Sequence, residues 1–318
     1  KYIRNRYKYM RLIKETDIKF MSQSRFASFL SGAVILAGLI SLFLQGGPRL
    51  SIDFKGGTLV AVQFIEDMDV NDVRQSMGVV SIEGRAHDYS RAEIKHFGSA
   101  RDISVRLPIL EDQPENFPQL IVNNLYDSFP TAVPADQNDF ILSIDKVGPK
   151  IGAELSGKAV MAIVSALLLI LIYISIRFEF KFAVGAIAAL SHDVLITIGI
   201  FSIMDYEISL PIIAAFLTIV GYSLNDTIAI LDRVRENVKS MKRISYSDMV
   251  DQSINDSLSR TIITSITTFL VVLILYLFGG EVIHYFAFAM MIGVVVGTYS
   301  SMYVACPIVV QLHKGIKS

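Results

Sequence analysis

Two adjacent residues, Asn225 and Asp226, put ionisable chemistry inside the otherwise apolar run 208–231. A carboxylate in hydrocarbon costs on the order of 2.5–3.5 kcal/mol even on the lenient insertion scale. A chain that carries one there uses it to move an ion or a proton, or closes it into a buried pair. A partner of opposite charge is at hand, because Arg260 opens the next apolar segment. Asp226 lies roughly 10 Å inside Arg233 at 1.5 Å rise per residue, too deep for a short side chain to reach water easily. Arg260 taken alone reads equally well as a boundary residue snorkelling to headgroups.

Further polar side chains fall on helical faces. Thr218, Tyr222, Asn225 and Asp226 stand at i, i+4, i+7 and i+8, a single stripe. Ser257, Arg260, Thr261, Thr264, Ser265 and Thr268 repeat that spacing in the following segment, and His192-Asp193 sits midway along an earlier one, with Thr197 a turn beyond. Three such stripes predict a hydrated or hydrogen-bonded seam between helices instead of lipid-facing residues. Neighbouring helical residues diverge by about 100°, so His192 and Asp193 cannot easily share one ligand. A packing hydrogen bond and a relay role are equal readings for them, and the dipeptide has too few ligands for a metal. Gly293 and Gly297 form a small-xxx-small pair that lets helices approach closely, and Gly221 is assigned to packing as well.

No soluble-enzyme motif is present. The Walker phosphate loop, His-Glu-x-x-His, Gly-x-Ser-x-Gly and cysteine metal signatures are all missing, so no cofactor and no enzymatic reaction are expected. Val147-Gly-Pro-Lys-Ile-Gly152 lacks phosphate-loop spacing and reads as a kinked re-entry into the membrane. Work would have to be driven by a partner or an ion gradient.

The elements that must position these residues are membrane helices. Of 318 residues, 52% are hydrophobic and 19% charged, and mean hydropathy is positive. Crossing a ~30 Å hydrocarbon core takes roughly 20 apolar residues. Six stretches approach that length: 26–44, 159–176, 182–203, 208–231, 261–278 and 285–310. The first is too long and too far along the chain for a cleaved signal peptide, and reads as a retained helix. The single cysteine, Cys306, excludes a disulfide framework, and a net charge of −1 says nothing about nucleic acid, none of which is expected as a partner.

Lys and Arg set the orientation. The segment before the first span carries eight of them, from Lys1 to Arg25, and the loop after the fourth carries Arg233, Arg235, Lys239, Lys242 and Arg243. The tail adds Lys314 and Lys317, whereas loops 204–207 and 279–284 carry acids and no Lys or Arg. Both termini are therefore expected in the cytoplasm: a basic arm over 1–25 and a tail over 311–318. Residues 45–158 are expected outside as a periplasmic domain, since long domains translocate largely regardless of charge.

That outer segment has the pattern of a small α+β domain. Ser51–Phe64 alternates, 70–77 has helical spacing, and 79–82 and 94–97 are short β-like runs flanking the polar stretch 83–91. Gly98-Ser99 resembles a turn, Ile103, Val105 and Leu107 alternate, 117–129 is an amphipathic helix and 140–147 a final strand. The order β-α-β-β-α-β predicts a ferredoxin-like antiparallel sheet with helices on one face.

These residues together resemble a known family. Val220-Gly-Tyr-Ser-Leu-Asn-Asp-Thr-Ile-Ala-Ile-Leu-Asp-Arg-Val-Arg-Glu-Asn237 is similar to the fourth-span signature of the SecF family, the smaller half of the bacterial SecDF translocation-enhancing complex. Supporting pieces are Ser51-Ile-Asp-Phe-Lys-Gly-Gly-Thr58, Val147-Gly-Pro149, Ser191-His-Asp193, Ser259-Arg-Thr261 and Tyr276-Leu-Phe-Gly-Gly280. The chain starts at Lys1 with no Met, as expected of a trimmed one.

The resemblance implies an RND-like half of six helices that pairs with six-spanning SecD in the bacterial inner membrane. It implies association with the SecYEG channel and YajC, and use of the proton-motive force to help a translocating polypeptide leave on the periplasmic side. Asp226 and Arg260 match the family's proton-coupling pair, with His192, Asp193, Tyr222, Asn225, Thr264 and Thr268 as a supporting polar seam. Two other classes stay open on the residues alone: an RND-type exporter of small molecules or lipids, and a non-conducting scaffold in which the Asp226–Arg260 pair only holds helices together.

Overall fold

The computed structural model describes residues 16–315, apart from 79, 83–84, 91, 109–113, 178 and 241–243. Six of the N-terminal basic residues (Lys1, Arg4, Arg6, Lys8, Arg11, Lys14) lie outside the described residues, as do Lys242, Arg243 and Lys317. The chain divides into two compact units. One takes the chain up to Arg49, Ala162–Glu207 and the part from Pro211 onward; the other takes Leu50–Met161 with Ile208–Leu210.

The chain enters through helix α1 (Phe20–Leu44), whose start is capped from another helix. Met21 N–H donates to Asp251 Oδ1 at 2.8 Å, and Asn255 exchanges two hydrogen bonds with the backbone of Ile18. One first-turn donor that the helix cannot satisfy itself is thus taken up by a carboxylate, and the backbone just before the helix by an amide.

In the second unit, Ser51 begins a short helix α2 (Ile52–Lys55) where alternation had predicted strand. The Ser51 hydroxyl accepts from Asp53 N–H, a local cap that outcompetes extended backbone. Strand β1 (Gly57–Gln63) follows, then α3 (Val70–Ser76), capped by Asp69, and a separate two-stranded ribbon of β2 (Val80–Ile82) and β3 (Arg85–His87). Strand β2 falls in the expected β-like run 79–82, whereas β3 lies inside the stretch expected to be a polar connection. Next come β4 (Glu93–Phe97), β5 (Ser99–Leu107), α4 (Phe117–Ser128), α5 (Gln137–Phe140) and β6 (Ile141–Val147).

The main sheet is antiparallel with order β4-β5-β1-β6. Alternation in β1 and β5 turns Val60, Val62, Ile103, Val105 and Leu107 to one face, against Ile121, Val122 and Leu125 of α4 and Val73 of α3. Each of these is fully buried, which closes a core around Phe64, Phe117 and Phe140. The same unit holds residues 208–210: Ser51 N–H donates to Ile208 O, and Asp53 Oδ2 accepts from Leu210 N–H.

Helix α6 (Pro149–Arg177) starts ten residues before the expected second span. Pro149 is its first residue, where the missing N–H costs nothing, so no kink is needed. Its first turns are polar, and Gly152 lies against the backbone of Phe54 and Gly56, where an added Cβ would stand 2.8 Å from Phe54 O. The remaining elements are α7 (Phe180–Ile203), α8 (Leu210–Ser240), α9 (Tyr246–Phe278), α10 (Glu281–Ser300), a π-helical turn (Ser301–Ala305) and α11 (Cys306–Gly315). Among the described residues six helical segments are long and apolar enough to cross a membrane, the last running through α10, the π turn and α11.

Within this unit α7, α8 and the final helix supply the interior, while α1, α6 and α9 leave most of their apolar surface open. Small residues bring α7 against its neighbours. Gly38 and Gly199 place α1 and α7 in backbone contact, with an added Cβ on Gly199 only 2.9 Å from Gly38 Cα. Gly185 stands the same way against Ala305 and Val309. The acids of loop 204–207 are paired: Arg49 meets both Asp205 and Glu207.

The close crossing makes a testable demand. Gly199→Ala should cost about 1–3 kcal/mol by overpacking and lower the unfolding midpoint in detergent. Gly32→Ala, with nothing within 4 Å of the added methyl, should leave it in place. Equal midpoints for the two variants would contradict the crossing.

Candidate functional site: two buried carboxylates in the helical unit

The helical unit buries two carboxylates and treats them differently. Asp193, on α7, is 0% exposed, yet both its oxygens are engaged. Oδ2 accepts from the hydroxyls of Ser223 on α8 at 2.6 Å and Ser300 on α10 at 2.8 Å. Oδ1 stands 3.0 Å from His192 Nδ1. Side chains that diverge around the helix still meet, because the imidazole curls back onto its neighbour. On the far side of the ring, Nε2 is 3.0 Å from Ser31 Oγ, which is 3.0 Å from the Tyr299 hydroxyl. Thr197 returns its own hydroxyl to Asp193 O.

Asp226, on α8, is 4% exposed, and its Oδ2 has no hydrogen-bond partner among the described residues. It faces α9, from which Arg260's charge and the Ser265 hydroxyl act on it. Thr227 Oγ1 and Thr261 Oγ1, on the same two helices, are also buried without a partner. A carboxylate taken out of water and left partly unsatisfied is a costly arrangement, and three such oxygens on one pair of helices mark a place built for more than packing.

Arg260 and Asp226 are brought to neighbouring helices, but no salt bridge closes between them, and Arg260 is exposed on α9. The stripe read on α8 divides: Asp226 turns inward, while Thr218 and Asn225 are exposed, as is Gly221. Gly221 therefore makes no packing contact, with nothing within 4 Å of an added Cβ. Gly293 and Gly297 do pack, within this chain, against Ile219 and Ser223 of α8. Tyr222 reaches Ser265 at 3.5 Å, and Ser265 lies 2.6 Å from Thr298 of α10, a second polar string across three helices. Thr264 spends its hydroxyl on the carbonyls of Arg260 and Thr261 in its own helix, and Thr268 is half-buried further along α9.

Ser31, Ser223, Tyr299 and Ser300 were not singled out by spacing. Ser223 had a signal, since it precedes Asp226 by one turn on the same face. Ser31 and Tyr299 had none that a single helix could supply, because their partner is on α7.

A family model described as protein export membrane protein SecD/SecF, C-terminal, matches residues 131–315. The chain is 41% identical over 306 residues to the protein translocase subunit SecF of Calditerrivibrio nitroreducens, covering 95% of this chain and 96% of that protein. With the SecF subunit of Desulfurispirillum indicum it shares 43% over 291 residues, 91% of this chain and 89% of the relative. A solved structure of SecDF, a translocon-associated membrane protein from Thermus thermophilus, superposes with TM-score 0.82 at 37% identity, covering 94% of this chain and 39% of that one. SecDF in a super-membrane-facing form superposes with TM-score 0.67 at 36% identity, covering 96% of this chain and 40% of that one. The chain thus spans well under half the length of these solved polypeptides.

Asp193 should be sensitive to loss of one donor. Ser300→Ala removes a hydroxyl from a fully buried carboxylate, and should destabilise the helical unit by about 1.5–3 kcal/mol, the range for hydrogen bonds to charged groups. The measurement is the unfolding midpoint in detergent beside that of Thr267→Ala, whose hydroxyl bonds only to carbonyls of its own helix.

Proposed function

The chain belongs to the SecD/SecF family of protein-export membrane proteins, and from that premise we propose that it couples proton movement to polypeptide export as the SecF-type subunit of a SecDF pair. It is a multi-pass protein of the bacterial inner membrane that serves Sec-dependent export. The observation that carries the proton reading is Asp226: a buried carboxylate with one oxygen unpartnered, on a helix facing Arg260 and Ser265. Proton uptake neutralises its charge and proton release restores it, while Arg260 lowers the cost of the charged state without locking it in a salt bridge.

SecD is the partner this reading requires. Arg260, Asn225 and Thr218 are polar and exposed on membrane-length helices, and such groups do not face lipid. A second set of six helices over this face would bury them, and the greater length of the solved SecDF chains is consistent with that. SecYEG and YajC are the further partners in this reading. In this reading residues 45–158 lie outside the membrane with both termini in the cytoplasm, and the sheet order β4-β5-β1-β6 is read as the ferredoxin-like arrangement, with the β2–β3 ribbon inserted. This outer unit forms part of the base on which the exported chain is handled.

The energies are adequate. One charge moving through 100 mV yields about 2.3 kcal/mol, whereas reversing a two-state equilibrium from 1:99 to 99:1 takes about 5.5 kcal/mol. A single proton at that potential biases a conformational change, and more than one, or an added pH difference, completes it.

Two experiments test this. In vesicles with equal amounts of assembled complex, Asp226→Asn should abolish gradient-dependent stimulation of export while leaving assembly intact. Arg260→Ala should do similar damage, and Arg260→Lys should retain part of the function, since it keeps the charge and loses the fixed fork. Full function after replacing Asp226 and Arg260 together by apolar residues would instead support a scaffold. For topology, a cysteine at Asn138 should react with a membrane-impermeant reagent from the periplasm and one at Lys239 should not; the native Cys306 is buried and does not compete. The reverse pattern would overturn the orientation.

A further inference from the structure

The hydrogen bonds running from α1 to Asp193 have a direction, and the direction counts protons. The string begins at a group that can only accept: the Tyr299 hydroxyl donates to Ala27 O at 2.8 Å. That uses the one phenolic hydrogen, so in the 3.0 Å contact between Ser31 Oγ and Tyr299 the serine donates. The serine hydrogen is then spent, and in the next 3.0 Å contact His192 Nε2 has to be the donor. With Nε2 protonated, a neutral imidazole offers only a lone pair at Nδ1, yet Nδ1 lies 3.0 Å from an oxygen of Asp193. Two acceptors do not form that contact unless a proton lies between them. The other oxygen, Oδ2, already accepts from two hydroxyls, an environment suited to a carboxylate.

We propose that His192 and Asp193 form a second proton-holding site in the bundle, carrying one proton more than a neutral histidine beside a carboxylate, with Tyr299 and Ser31 as the positioning residues that keep it loaded. The groups that meet the pair are Ser31 from α1, Ser223 from α8, and Tyr299 and Ser300 from α10. Tyr299 is the titratable group among them, and Asp226 lies one turn along α8 from Ser223.

The site also has an exit. Gln23, Ala27 and Ser31 fall on one stripe of α1, and Tyr299 stacks at 5.2 Å on Tyr303, whose hydroxyl donates to exposed Gln23 at 3.2 Å. The hydrogen-bonded string ends at Tyr299, and the stacked Tyr303 marks the side of the pair that faces the start of α1. Release is a balanced shift: the Nε2 proton passes to Ser31, the Ser31 proton to Tyr299, and the Tyr299 proton to water. The pair goes from neutral to singly negative, and the Ser31 hydroxyl then donates back to Nε2. As long as Tyr299 is bonded to Ala27 O, the shift is blocked. The π-helical turn that begins at Ser301, directly after Tyr299 and Ser300, is the irregular element through which α10 can change that bond.

The storage role rests on the proton-coupling reading above, whereas the proton count does not. The count is read by nitrogen NMR on the full chain, assembled with its partner in lipid discs, with histidine labelled at both ring nitrogens. His192 is assigned by the loss of its signals in His192→Gln. His192 should show Nε2 protonated together with a proton in the Nδ1–Oδ1 contact. Tyr299→Phe should lose one proton and leave Nε2 bare. Ser31→Ala removes the acceptor of the Nε2 proton and should also lose one ring proton, which keeps the test open if the tyrosine variant does not fold. A bare Nε2 in the unmodified protein, or ring protonation unchanged in both variants, would overturn the proposal. Failure of the Asp226 reading would appear elsewhere, as full gradient-dependent export in Asp226→Asn with His192 protonation unaltered.

Discussion

A polar group placed in hydrocarbon has to find its partners inside protein, because no water is there to supply them. The helical unit is organised around that constraint, and its two buried carboxylates mark two ways of meeting it. Asp193 is satisfied within the chain by an imidazole and two hydroxyls from three helices, so it ties α7, α8 and α10 together. Asp226 is left with an oxygen unpartnered, close to an arginine that itself lies on an open face. One carboxylate is embedded in its own chain; the other keeps an oxygen without a partner among the described residues, which is the ground of the proposed proton coupling.

The glycines follow from the same arrangement. Ser223 of α8 reaches Asp193 on α7 at 2.6 Å, and Gly297 of α10 leaves room for its side chain, since an added Cβ there would stand 2.9 Å from Ser223 Cβ. Gly293 does the same for Ile219, one turn earlier. Small residues are placed where polar contacts demand short distances between helices, and bulky ones line the remaining interior, as with Phe182, Phe201 and Phe216. Asp251 and Asn255 of α9 hold the start of α1 by hydrogen bonds, beside Phe20, which is buried in one cluster with Val250, Ile254 and Leu258 of α9.

Much of this was legible in the sequence for a physical reason. Insertion of an apolar helix is a local property, so all six spans could be counted, although their ends ran longer than the apolar runs. Asp226 stood out by its cost alone. What could not be read was any contact whose logic is between helices. The single polar stripe on α8 proved to be two faces, and Gly221, assigned to packing, is open because an exposed face shows no periodicity of its own. Ser31 is an ordinary serine in α1 until α7 is laid beside it. In the α+β unit, Ser51 reversed an alternating β pattern by capping a short helix, a side-chain effect that alternation does not register.

The central claim is that Asp226 changes protonation as the protein works. The most direct measurement is infrared difference spectroscopy on the assembled complex in lipid, comparing carboxyl bands as a proton gradient is imposed and collapsed. A protonated-carboxyl band that appears and disappears with the gradient, and is missing from Asp226→Asn, is the predicted result. A spectrum in which Asp226→Asn and the unmodified protein give identical carboxyl differences would contradict it.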